Sequence, residues 1–159
     1  MAKARPVPGL GADMPLREAA AAIVEVRAKE LFEFADAVLD TTDIEHVHDM
    51  RVASRRLRAA LEVFAACFPK RELRRCLTDV KRLADALGER RDPDVALAAV
   101  SKLARRMPQA DRPGLQSYAA TLERDQVEAN DTLQAVLTQM EEQALEERLA
   151  ALVAMARNP

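Results

Sequence analysis

The chain has no tryptophan, one tyrosine, four phenylalanines and four glycines. So few aromatics, with alanine and leucine dominant, leave little from which to build a sheet core, and the expected fold class is all-α. No run approaches 18 uninterrupted apolar residues, which predicts no transmembrane span. Lys3 and Arg5 lie near the start, but no apolar stretch follows them, so a secretory signal is not expected and the default location is the cytoplasm. The two cysteines, Cys67 and Cys76, make neither a disulfide framework nor a zinc pattern. Both fall on apolar helical stripes and read as small buried hydrophobes.

Other absences bear on chemistry. Gly88 stands alone, so there is no glycine-rich loop to cradle a nucleotide. No glycine flanks Ser54 to make a nucleophile elbow. His46 and His48 point about 200° apart on a helix and no third histidine exists, so a shared metal is not expected. Carboxylates such as Glu141, Glu142, Glu146 and Glu147 lie in ordinary helix-face patterns. The chain therefore reads as a non-enzyme that needs no metal or cofactor.

What is present is a chain of 159 residues, 49% apolar and 31% charged, enough for one domain with its own core. Residues 1–14 read as a flexible Pro/Gly-rich tail ahead of a bundle over 15–159. A first helix is expected from Pro15 to about Asp40. Asp43 is a candidate N-cap for a second, running from Ile44 to about Phe68 and stopped by Pro69. A third should span Lys70 to Leu87 with Gly88 just past its end, and a fourth should start at Asp92-Pro93 and reach Arg106. After Gly114, as far as Asn158, neither Gly nor Pro occurs. One helix of about 65 Å is expected there, bent near Glu141-Glu142, with an end that overhangs. The architecture expected is an antiparallel four-helix-type bundle with a long C-terminal helix.

The net charge of −2 conceals a division. Residues 51–91 hold 12 Lys/Arg against 5 acids, a block of +7, while the remainder is −9. On the second helix, Met50, Ala53, Leu57, Ala60, Leu61, Phe64 and Phe68 gather on a core side. His48, Arg51, Arg55 and Arg58 gather on another, spaced i, i+3, i+7, i+10, which makes a ladder about 15 Å long. Arg56 flanks it, and no acid occurs at 52–61. Like charges so placed destabilise an isolated helix and point to a ligand or partner of negative charge. On the third helix Arg74 and Lys81 share one line, with Arg71, Arg75 and Arg82 near another. Arg90 and Arg91 follow Gly88. Antiparallel packing of these two helices would let their basic lines face each other.

Guanidinium binds phosphate oxygens in bidentate fashion, and one cation per helical turn suits a long repeating polyanion better than a single phosphate. His48 adds an N–H donor whose charge rises as the pH drops. Nucleic acid is the rival polyanion. Against it, Phe64 and Phe68 lie on the core side and Tyr118 is remote, so no stacking platform interleaves with the arginines. A module that recognises a protein partner through its long helix is the other alternative.

The run His48-Asp49-Met50-Arg51-Val52-Ala53-Ser54-Arg55-Arg56-Leu57-Arg58-Ala59-Ala60-Leu61 resembles the H-x-x-R-V-x-x-R-R-L-R-x-x-L signature of the CHAD domain, the conserved histidine α-helical domain. The stretch from Val80 to Val95, with Leu87-Gly88-Glu89-Arg90-Arg91-Asp92-Pro93-Asp94-Val95 at its end, is similar to a second block of that family. The resemblance implies a helical bundle that binds inorganic polyphosphate through basic residues, and partners among polyphosphate-metabolising enzymes or granules. It carries His48, Arg51, Arg55, Arg56, Arg58, Lys81 and Arg91 over as binding residues. Arg74, Arg75, Arg82 and Arg90 rest on charge alone. It also implies two tandem helical halves, yet residues 96–159 contain no histidine. The chain is therefore expected to be one half that pairs as a homodimer. Leu133, Val136, Leu137, Met140, Leu145, Leu149, Leu152 and Val153 form the stripe expected at that interface.

Overall fold

The computed structural model describes residues 3–158; the first two residues of the expected tail and Pro159 at the end of the expected bundle lie outside them. Among the described residues there are five α-helices and no strand: α1 Leu16–Phe32, α2 Ile44–Val63, α3 Lys70–Ala104, α4 Arg112–Glu142 and α5 Leu145–Arg157. The all-α expectation holds.

Helix α1 starts after Pro15, with Glu18 in its first turn and Lys29 in its last, where each charge suits the helix dipole. It stops at Phe32, eight residues short of the expected end. Beyond it the backbone tightens to shorter bonds, Phe34 N–H to Leu31 O, Ala35 N–H to Phe32 O and Ala37 N–H to Phe34 O. These turns carry fully buried Val38 into the core and bring Leu39 to α4, where its carbonyl accepts from Asn130 Nδ2 at 3.4 Å. Ahead of α1, Arg5 is tied down. Its side chain meets Glu33 at 2.6 Å, its N–H donates to Glu30, and its carbonyl accepts from Arg27 at 2.7 Å.

Asp43 caps α2 as expected, its side chain accepting from Glu45 N–H at 3.0 Å. The helix ends at Val63, and a single 3₁₀ turn over Ala65–Cys67 follows. Phe68 is extended (φ −119°, ψ 153°) because Pro69 disfavours helical geometry in the residue before it. Arg17 Nη1 donates to Cys67 O at 3.1 Å and ties this turn to the start of α1.

The largest departure is α3. Gly88 and Pro93 were expected to separate two helices, yet α3 runs through both for 35 residues. Gly88 has an ordinary negative φ and acts as a tolerated helix glycine. Pro93 removes one hydrogen bond from the helix ladder, but side chains on either side of it hold α3 against α4. Arg90 Nε donates to Asn130 Oδ1 at 3.0 Å and Arg90 Nη1 to Asp94 Oδ1 at 2.5 Å. Gln126 Nε2 donates to the same Asp94 oxygen at 2.6 Å. The pairings 90 with 130 and 94 with 126 share one register, so α3 and α4 are antiparallel.

The expected bend in the last helix is present as a break two residues further on. Ala144 adopts left-handed geometry (φ 50°, ψ 51°) between α4 and α5. This reverses α5 along α1, where Arg157 meets both Glu18 and Glu25. The stripe expected to mediate dimerisation is consumed by that reversal: Leu133, Val136, Met140, Leu145, Leu149, Leu152 and Val153 are all buried in the chain's own core. They join Val24, Leu31, Met50, Leu57, Leu61, Leu83 and Leu87 there. Cys67 and Cys76 are free and buried, as small hydrophobes should be. The overhang expected of the chain's end is not found, since α5 packs along α1; sparse burial occurs elsewhere. The sparsely buried helix ends are the C-terminal end of α3 and the N-terminal half of α4.

Arg90 and Asp94 are fully enclosed, and Arg90 Nη2 and Asp94 Oδ2 have no protein hydrogen-bond partner. Changing Arg90 to Met should strand a buried carboxylate and cost about 3–5 kcal/mol in urea unfolding. The double change Arg90→Met with Asp94→Leu should regain most of that loss, since it removes both charges.

Candidate functional site

The ladder of α2 is positioned by its opposite side. Met50, Ala53, Leu57 and Leu61 are buried, so the 100° step per residue sends His48, Arg51, Arg55 and Arg58 toward the flank. Arg55 is exposed; His48, Arg51, Arg56 and Arg58 are half-buried. Ser54 lies inside, its hydroxyl donating to Arg51 O at 2.9 Å, so it supports the helix and offers no nucleophile.

Two contacts fix how α3 lies beside this helix. Arg91 Nη1 donates to Ile44 O at 3.3 Å, and Lys81 Nζ approaches Glu62 Oε1 at 3.4 Å. The start of α2 thus meets the later part of α3 and its end meets the earlier part, so the two run antiparallel. The same Glu62 oxygen accepts from Arg58 Nε at 3.0 Å, which makes a clasp of two cations on one carboxylate.

Around the end of α2, the 3₁₀ turn and α3 enclose a depression of about 390 Å³. Ala65, Ala66, Leu73, Leu77 and Thr78 line it together with Lys70, Arg74 and Lys81, and no carboxylate lines it. Arg74 and Lys81 therefore do share one side of α3, as their spacing implied. Lys70 belongs with them and was missed. Its signal was the i, i+4, i+11 series that it begins.

Arg75 and Arg82 are exposed but lie elsewhere, about 100° further round α3 from the line that reaches α2. Arg91 is half-buried at the Ile44 end. Arg90 is a correction to the expected binding set. It is 0% exposed, because it continues the stripe Leu73, Cys76, Val80, Leu83 and Leu87 at i+3, and its guanidinium is occupied by Asp94 and Asn130. The same register marked Asp94 as an inward residue.

Among the described residues, Arg51, Arg55, Arg74, Arg75 and Arg82 enter no ion pair. Carboxylates elsewhere already have partners: Asp79 binds Arg148, Glu30 binds Arg27, and Glu18 and Glu25 bind Arg157. The hydrogen bond from Arg58, aided by Lys81, holds the Glu62 carboxyl below the usual glutamate range. Burial pushes the Cys76 thiol up, which keeps it an unreactive thiol.

A family model described as the CHAD domain matches residues 18–159. No curated protein and no solved structure matches the chain.

Because the Arg58 hydrogen bond holds the Glu62 carboxyl below the ordinary glutamate value, the clasp should stay ionised as the pH falls through the ordinary glutamate range and open only under more acid conditions. Carboxyl-carbon NMR should place the Glu62 midpoint below that of an ordinary glutamate and move it upward in Arg58→Gln. A midpoint indifferent to Arg58 would show that the pair does not persist in solution.

Proposed function

The chain belongs to the CHAD-domain family, and from that premise we propose that it binds inorganic polyphosphate along α2 and the N-terminal half of α3, without catalysis. One observation carries this reading. Among the described residues, Arg51 and Arg55 on α2, and Arg74 on the adjacent helix, have no carboxylate within ion-pair distance, and the charged residues lining the depression formed by the 3₁₀ turn and α3 are all cations, Lys70, Arg74 and Lys81. Like charges left unpaired in neighbouring turns raise the free energy of the unliganded fold. A string of linked phosphates relieves that repulsion at several points at once, with bidentate contacts available to each guanidinium.

The roles are unequal. Arg51, Arg55 and Arg74 are the readily available anchors. Arg58 and Lys81 bind phosphate by exchanging Glu62 for it, so they form a gated end of the trough. His48 and Arg91 lie at the other end, near the start of α2. Arg56 flanks the line, while Arg75 and Arg82 supply long-range field from the outer face of α3. A polyanion that is narrow and flexible fits this strip better than a rigid duplex, which would bring its second strand against the acidic remainder of the chain. Partners that make or consume polyphosphate, or granules that contain it, would meet the protein through the bound polymer.

The test is calorimetric titration with polyphosphates of graded length. Reversing Arg51 and Arg55 to Glu should weaken binding by about a hundredfold or more, since each charge-assisted contact is worth about 1.5–3 kcal/mol. Stability should change by no more than about 0.5 kcal/mol, because neither side chain is in the core. Affinity should fall steeply with salt, and duplex DNA at equal phosphate should compete poorly. A protein that binds DNA as well as polyphosphate would be a general phosphate-backbone binder. One whose melting collapses in the double variant uses these arginines structurally.

A further inference from the structure

Helices α3 and α4 leave the bundle together as a two-helix arm. Among residues 95–127 only Leu122 is buried, while Val95 and Leu103 on α3 are 52% and 49% exposed. The 100° step places Val95, Ala99 and Leu103 on one line, roughly 160° round α3 from Arg90 and Asp94, which face α4. That line therefore points away from α4, to which the side-chain contacts of Arg90 and Asp94 run. It is also free of charge: from Pro93 to Ser101 the one ionisable residue is Asp94, which is buried on the other side.

The ends of this apolar line carry opposite charges. Asp92 stands before it; Lys102, Arg105 and Arg106 stand at and beyond its far end. All four are exposed, and among the described residues none of them is ion-paired. The pattern is its own complement. If two copies of α3 lie antiparallel about a two-fold axis at Ala99, Val95 of one packs on the partner's Leu103. Asp92 then faces the partner's Arg106, with the partner's Lys102 and Arg105 beside it. Symmetry repeats each contact at the other end. Ala96, Ala98 and Ala99 at the centre let the helices approach closely.

We propose that this face of the α3–α4 arm binds a second copy of the chain, packing the two α3 helices antiparallel with each α4 on the outer side. A foreign partner would need an apolar strip with the reverse charge order, and the protein's own copy presents that strip by construction. The surface is separate from the α2 cations, so the pairing stands or falls independently of the polyphosphate reading.

Sedimentation velocity of the full chain at micromolar concentration should give twice the 17.6 kDa chain mass, without polyphosphate. Asp92→Lys should yield monomer, since it sets like charges against each other at both ends. Adding Lys102→Glu, Arg105→Glu and Arg106→Glu to it should restore the dimer by exchanging the two ends. Ala99→Cys, at the axis, should cross-link to itself on mild oxidation, whereas Ala154→Cys on exposed α5 should not. Circular dichroism confirms that each variant folds, and Leu103→Glu replaces Asp92→Lys should the latter fail. A wild-type monomer overturns the proposal. So does a dimer that ignores Asp92→Lys and leaves Ala99→Cys uncrosslinked, because it pairs through another face.

Discussion

The structure depends on a short polar ladder between α3 and α4. Arg90, Asp94, Gln126 and Asn130 join the two helices in one antiparallel register, on both sides of a proline that would otherwise end or kink α3. Desolvating an ion pair is costly, and this pair leaves one nitrogen and one oxygen without a protein partner. Its return is geometric. Continuity of α3 through Pro93 makes a single rigid element of the helix that flanks the α2 cations at one end and carries the exposed arm at the other. Asn130 extends the ladder to the carbonyl of Leu39, so the turns after α1 are set by the same residues.

Around that frame the cations divide by where their helix faces, not by their number. Arg90 lies on the apolar side of α3 and became structural. Arg58 and Lys81 share Glu62, the acid that closes the basic stretch of α2. Arg148 and Arg157 on α5 hold α3 and α1 through acids of those helices. Arg51, Arg55 and Arg74 remain outside this internal neutralisation. Glu18, Glu25, Glu30 and Asp79 are held instead by arginines of α1 and α5.

Much of this was legible along the chain. Low aromatic and glycine content with helical periodicity sufficed for the all-α class, and Asp43 announced the start of α2 through its cap. The ladder His48, Arg51, Arg55 and Arg58 followed from spacing beside a clear core stripe. The punctuation of α3 was misleading for a definite reason. Gly88 and Pro93 are local signals for helix ends, and their influence of a few kcal/mol was overridden by contacts with α4, forty residues away in sequence. The same blindness to distant partners made the 133–153 stripe look like an interface. Its apolar side chains are those an interface would need, but α4 lies on α3 and the left-handed turn at Ala144 sets α5 on α1, so they close the chain's own core.

The sequence by itself determined the helical class, the side of α2 on which charge accumulates, and the membership of Arg74 with Lys81, because these follow from residue identity and a fixed step of 100° per residue. Only the tertiary structure decided that α3 is one helix, that Arg90 is enclosed, that Glu62 holds two cations at once, and that the uncovered apolar surface lies on the α3–α4 arm. Each of these depends on which distant side chain arrives at a given place, and periodicity along one helix carries no information about the neighbour it will meet.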